Sequence, residues 1–110
     1  MTKLIKTMAF SVAALFLSSN VAYAAHCGEK VTRLIIHRDG NVYFSTDKTC
    51  VENGWCKLDF EDPKQADRGY SMLLSATIAD KKVTFTWPAI SNCDEINAQH
   101  ASPEYFDIRP

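Results

Sequence analysis

The hydrophobic positions of the chain form one continuous run near the start and shorter alternating segments after it. Residues 8–17 are apolar apart from Ser11, follow two lysines, and precede Ala22-Tyr23-Ala24, a small-x-small pattern. An apolar run of about ten residues is too short to cross a bilayer, which needs ~20 residues, and it suits a cleavable signal peptide. We therefore predict a signal peptide over residues 1–24 and one mature domain over residues 25–110.

The first half of the mature domain has the pattern of β-strands. Residues 30–37 are rich in β-branched side chains, and residues 42–44 resume this character after a turn at Asp39-Gly40. Asp-Gly supplies the positive φ that a tight hairpin requires, so the two segments predict a β-hairpin. Residues 55–60 alternate between apolar and polar side chains and predict a third, half-buried strand.

The second half begins with a helix. Asp62 and Pro63 predict its start, because Asp caps free backbone amides and Pro is preset for the first turn. The helix is expected to end near Asp80. Residues 83–87 and 105–108 then predict the last two strands. The predicted apolar stripe of the helix comprises Ala66, Tyr70, Leu73, Leu74, Thr77 and Ile78.

The element order is three strands, a helix and two strands. This order predicts a β-rich α+β fold, a small five-stranded barrel of the oligonucleotide/oligosaccharide-binding (OB) type with one helix between strands three and four. A four-strand sandwich with one helix is the alternative.

The cysteine count adds two cross-links to this picture. The four cysteines are Cys27, Cys50, Cys56 and Cys93, and all lie in the mature part. An even number in an exported domain of about 86 residues predicts two disulfides. The OB topology would gather all four at one end of the barrel, so the three possible pairings remain open.

Charge and motifs exclude several classes of function. The formal net charge is −1, and removing the two lysines of the signal peptide makes the mature domain mildly more acidic. It therefore lacks the basic surface of a nucleic-acid or anionic-membrane binder, and no later apolar run predicts membrane insertion. We find no Cys-x-x-Cys or His-x-x-x-His spacing and no paired nucleophile and base. We predict a protein that is not an enzyme and uses no metal or cofactor, with His37 and His100 as surface or satisfied histidines.

Aromatic residues indicate the candidate binding site. Trp55 is out of phase with the apolar positions that follow it, so its side chain should point away from the core. An exposed aromatic ring stacks on a sugar or anchors a protein partner. We predict Trp55, Tyr43 and Asn53 as ligand-binding residues for a glycan or a protein surface. The alternative is a periplasmic inhibitor or immunity protein that blocks an enzyme with the acidic loop of residues 93–100.

Three segments carry a resemblance to known proteins: G-N-V-Y-F, C-V-E-N-G-W, and Y-S-M-L-L-S-A-T-I-A-D-K-K-V-T-F followed by a cysteine. In this pattern the chain resembles small exported bacterial proteins of unknown function. The resemblance implies disulfides between Cys50 and Cys93 and between Cys27 and Cys56. The signal peptide predicts a periplasmic or secreted location. More distantly, the layout is similar to the binding subunits of pentameric bacterial toxins of the cholera, pertussis and subtilase kind. That likeness implies glycan binding and a possible homo-oligomer, although the chain has no matching sugar-contact motif.

Overall fold

The computed structural model describes residues 24–51 and 54–109 and contains, in this part, six strands and one helix. The predicted signal peptide up to residue 23 lies outside the described residues, as does Asn53. No helix in the described part is long and apolar enough to cross a membrane. The elements are β1 (Ala25–Glu29), β2 (Val31–Ile36), β3 (Val42–Thr46), β4 (Cys56–Lys57), α1 (Pro63–Ile78), β5 (Val83–Trp87) and β6 (Tyr105–Asp107).

The strands form two separate three-stranded antiparallel sheets, so the predicted closed OB-type barrel is wrong. One sheet has the order β1-β5-β6 and the other has the order β2-β3-β4. The reason is a strand that the sequence pattern did not reveal. Strand β1 alternates buried and exposed residues and pairs with β5, and the chain breaks at Lys30 before β2 joins the second sheet. Its pattern is weak because Gly28 and the polar Glu29 stand at strand positions.

Three aromatic side chains join the two sheets. Phe44 of β3 stacks on Phe85 of β5, with ring centroids 5.3 Å apart, and Phe85 stacks on Trp87 at 5.2 Å. All three side chains are fully buried. The predicted alternation of β5 is confirmed, because Val83, Phe85 and Trp87 all lie in the core.

Helix α1 begins where the sequence predicts, but its buried face is different. The Asp62 carboxylate accepts a hydrogen bond from the Lys64 backbone N–H, which confirms the predicted cap. The residues buried along α1 are Gly69, Leu73 and Ala76, whereas Leu74 and Ile78 of the predicted stripe are exposed. Gly69 allows this approach, because a Cβ at this position would lie only 3.0 Å from Leu58 Cδ1 and 3.2 Å from Phe106 Cζ.

Both disulfides are present, but the pairing implied by the resemblance is wrong. Cys27 is bonded to Cys93, and Cys50 is bonded to Cys56. Cys50 follows β3 and Cys56 begins β4, and these two strands pair directly, since Phe44 of β3 lies opposite Cys56 of β4. The loop after β5 returns to β1, which brings Cys93 against Cys27.

The two disulfides close loops of very different length, 66 and 6 residues in sequence separation. In the chain-entropy description, the longer loop stabilises the fold by about 4 kcal/mol and the shorter by about 2 kcal/mol. Two structural disulfides are consistent with an extracytoplasmic protein.

The irregular segment of residues 100–102, before β6, is hydrogen-bonded to β4 and to the residues on either side of β4. The His100 backbone N–H donates to the Trp55 carbonyl at 2.6 Å, and the Lys57 N–H donates to the Ala101 carbonyl at 2.9 Å. Further along, the Asp59 N–H donates to the Ser102 hydroxyl at 3.0 Å. These contacts hold the segment in place beside Trp55.

Candidate functional site

Four aromatic rings from three parts of the chain meet on one surface of the sheet β2-β3-β4. Tyr43 lies at the centre, with ring centroids 5.8 Å from Trp55, 5.1 Å from His100 and 5.9 Å from His37. Arg33 places its guanidinium carbon 5.4 Å from the centroid of the Trp55 ring, which is within cation–π distance. We call the set of these four rings, Arg33 and Asp39 the aromatic cluster.

Strand register explains why these side chains share a face. Residues directly opposite one another in an antiparallel pair point to the same side of the sheet, and so do residues two apart on one strand. Tyr43 lies opposite both Ile35 of β2 and Lys57 of β4. Arg33 and His37 flank Ile35 by two positions, and Trp55 precedes Lys57 by two.

The turn of the hairpin adds a carboxylate to the aromatic cluster. Gly40 has a φ of 88°, as the Asp-Gly turn predicts, and Asp39 folds its side chain back over the turn. The Asp39 carboxylate accepts hydrogen bonds from the Asn41 backbone N–H and from the Tyr43 hydroxyl, both at 2.9 Å. It also lies 3.3 Å from Nδ1 of His37, which itself accepts from the Asp39 backbone N–H.

These contacts shift the titration of two groups. The hydrogen bond from the Asn41 backbone N–H, with help from the Tyr43 hydroxyl, lowers the pKa of Asp39 from 3.8 to about 2. The same carboxylate raises the pKa of Tyr43, mainly because the hydroxyl must keep its proton to donate the hydrogen bond to Asp39. Asp39 is therefore ionised and Tyr43 is protonated at neutral pH. A carboxylate has about four lone-pair sites, so acceptor capacity remains on Asp39 beyond its two hydrogen bonds.

The three predicted ligand-binding residues have different positions. Trp55 is partly exposed and lies outside the hydrophobic core. Tyr43 is only 8% exposed, so it supports Trp55, His100 and Asp39 from below rather than offering its own ring face. Asn53 lies outside the described residues, so its place relative to the site stays a prediction.

Sequence reasoning treated His37 and His100 as ordinary surface histidines and did not single out Arg33 or Asp39. The hairpin register carried a usable signal for Arg33 and His37, since each is two positions from Ile35, which lies opposite Tyr43. His100 carried none, because it reaches the site through a loop. It adopts a φ of 64°, which residues other than glycine rarely occupy.

The acidic loop of residues 93–100 is anchored at both ends. Cys93 is bonded to Cys27, and the Asn97 backbone N–H donates to the Thr49 carbonyl at 2.8 Å. Glu95 accepts hydrogen bonds from the backbone N–H and the hydroxyl of Ser91, two residues before the loop. One of the two loop carboxylates is thus engaged by the neighbouring chain.

A second polar cluster lies in the interior. Glu29 is fully buried, and its carboxylate accepts from the Thr46 hydroxyl, the Thr49 N–H and hydroxyl, and the Trp87 indole N–H at 2.6–2.9 Å. Asn97 extends the network, since its side-chain amide donates to the Thr49 hydroxyl at 3.0 Å. The pattern of apolar and polar positions does not reveal that Glu29 is buried.

Among the described residues, no three His, Cys, Asp or Glu side chains are placed to share a metal ion. No family model, curated protein or solved structure matches the chain.

Proposed function

We propose that the mature protein is an exported, non-enzymatic binding module that recognises a glycan through the aromatic cluster. One observation carries the proposal. The partly exposed Trp55 indole lies beside Tyr43, with the guanidinium of Arg33 over its ring and the ionised Asp39 on the same surface. This combination of an aromatic platform with charged donors and acceptors matches the chemistry of a sugar.

Sugar rings have apolar C–H faces and a rim of hydroxyl groups. The C–H faces pack on aromatic rings, and the hydroxyls need hydrogen-bond partners at the edge of the platform. Asp39 supplies acceptors that stay ionised through the physiological pH range, since its pKa is about 2. Arg33 supplies donors. His37 and His100, both exposed, add groups that act as donor or acceptor.

The aromatic cluster is organised before any ligand binds. Trp55 is adjacent to the Cys50–Cys56 disulfide, and its carbonyl is held by the His100 N–H. Asp39 is held by the hairpin turn and by Tyr43. A site that is already ordered loses little conformational entropy on binding, which favours affinity for a small or weakly contacting ligand.

Export is the second part of the proposal. The pattern of residues 1–24 suits a cleavable signal peptide, and two structural disulfides suit an oxidising compartment. The mature protein would then act in the periplasm or outside the cell. The alternative role as an enzyme inhibitor has weaker support, because Glu95 is engaged with Ser91 instead of extending from the acidic loop.

The test is a glycan array probed with the mature protein, followed by titration of the selected glycan. Trp55→Ala should weaken binding by at least about tenfold, because truncating a central aromatic anchor typically costs about 2 kcal/mol. Tyr105→Ala is the matched control, since Tyr105 is 52% exposed and lies outside the aromatic cluster. Unchanged affinity in Trp55→Ala, or no glycan bound by the wild type, would refute the proposal.

A further inference from the structure

A second surface feature lies between the first half of α1 and strand β6. It is an open cleft of about 470 Å³, within the range of about 300–1,000 Å³ that is typical of binding pockets. We call it the α1–β6 cleft. None of its lining residues belongs to the aromatic cluster, so it is a separate candidate site.

The floor of the α1–β6 cleft is apolar and partly open. Phe60 and Phe106 lie together, with ring centroids 6.4 Å apart, beside Gly69 of α1. Met72 is 40% exposed and Tyr105 is 52% exposed at the margins. Entry of an apolar side chain into a cleft with this lining is favourable, because it removes apolar surface from water.

The rim of the cleft is acidic. Three carboxylates line it, those of Glu61, Asp62 and Glu104, against the single guanidinium of Arg68. All four side chains are exposed, and none of them forms an ion pair with another described residue. Asp62 caps α1, whereas the side chains of Glu61 and Glu104 line the cleft without forming such a cap. An acidic rim around an apolar floor complements a cationic group next to an apolar one.

One wall of the cleft is an edge strand. In its sheet β6 pairs with β5 and forms the last strand in the order β1-β5-β6. The outer edge of such a strand presents backbone N–H and C=O groups, which an extended polypeptide can pair with. This feature favours a polypeptide over a compact small molecule as the occupant.

We propose that the α1–β6 cleft is a docking site for an extended segment of a partner protein that carries a lysine or arginine beside a bulky apolar residue. The apolar side chain packs on Phe60, Phe106 and Met72. The basic side chain lies between Glu61 and Glu104. The segment runs along the outer edge of β6.

The test uses two short fluorescein-labelled peptides and the mature protein. In the first peptide every second residue is threonine, and the positions between are lysine and leucine in turn. The second peptide has glutamate in place of each lysine. Fluorescence anisotropy should show saturable binding of the lysine peptide only. In an amide chemical-shift experiment, the largest changes should fall at Met72, Glu104 and Tyr105.

Variants separate a specific site from general attraction to an acidic protein. The double variant Glu61→Gln and Glu104→Gln should weaken binding of the lysine peptide by about threefold to tenfold, as expected for two exposed ion pairs. Asp94→Asn, which removes an exposed carboxylate elsewhere, is the matched control and should leave the affinity unchanged. The proposal is overturned by absent binding, by equal affinity for the glutamate peptide, by equal loss in Asp94→Asn, or by shifts centred on Trp55.

Discussion

The two tryptophans of the chain occupy opposite environments. Trp87 is fully buried, stacks on Phe85, and donates its indole N–H to Glu29 at 2.8 Å. Trp55 is partly exposed and lies beside the ring of Tyr43, with the guanidinium of Arg33 over its own ring. The same residue type therefore serves the core in one region and forms a surface platform in the other.

The polar groups near each tryptophan differ in the same way. The Glu29 carboxylate beside Trp87 accepts from three side chains and one backbone amide, and water does not reach it. The Asp39 carboxylate near Trp55 accepts two hydrogen bonds and is exposed. A carboxylate whose partners are all internal stabilises the fold, whereas one with acceptor capacity facing solvent is available to a ligand.

One substitution made at both tryptophans gives the largest expected contrast. Trp87→Phe removes the hydrogen bond to Glu29 and leaves a small cavity, and it should lower the free energy of unfolding by about 2–3 kcal/mol. Trp55→Phe removes no core contact and should change it by less than about 1 kcal/mol. Urea unfolding of both variants at neutral pH measures the difference. Equal losses in the free energy of unfolding would show that Trp55 contributes as much to stability as Trp87.

A smaller effect is expected from acid. The pKa of Asp39 is about 2 in the folded protein and 3.8 ordinarily, so the carboxylate stabilises the folded state above about pH 4. This contribution is lost as the pH falls toward 2. Thermal unfolding midpoints between pH 4 and pH 2 should therefore fall less steeply in Asp39→Asn than in the wild type.

The titration of Asp39 itself gives a control for this effect. In an NMR titration, Tyr43→Phe should raise the midpoint of Asp39 because one hydrogen bond to the carboxylate is lost. The midpoint should stay below 3.8, since the Asn41 backbone N–H is the larger cause of the shift. A wild-type midpoint near 3.8 would contradict the described geometry of the turn.

Local signals in the sequence predicted local structure well. Asp62 and Pro63 marked the start of α1, Asp39-Gly40 marked the hairpin, and alternation marked β5. The helix cap and the hairpin turn depend on contacts between residues close in the chain, and β5 is indicated by the alternation of its own side chains. The sheet arrangement has no such local signal, because it depends on β1 pairing with β5 across some sixty residues and on a break at Lys30.

The disulfide pairing and the buried face of α1 could also not be predicted from local signals in the sequence. Pairing of Cys27 with Cys93 follows from β1, which the pattern did not reveal. The buried face of α1 is set by Gly69, whose role is to leave room for Leu58 and Phe106 rather than to supply an apolar side chain. The spacing of apolar side chains does not reveal a glycine that is buried because it leaves room for its neighbours.

The candidate site was predictable only in part. Alternation along residues 55–60 drew attention to Trp55, and aromatic content drew attention to Tyr43. Asp39 and His100 join the site through a turn and a loop whose conformations appear only in the folded structure.

The central claim is that Trp55 serves binding and Trp87 serves folding. Trp87→Phe leaves Trp55 as the one tryptophan of the chain, so its fluorescence reports on the aromatic cluster alone. Titration of this variant, while folded, with the glycan selected on the array should produce a saturable change in emission. No change in Trp87→Phe, together with a saturable change in Trp55→Phe, which retains Trp87, would contradict the account and place the ligand away from the aromatic cluster.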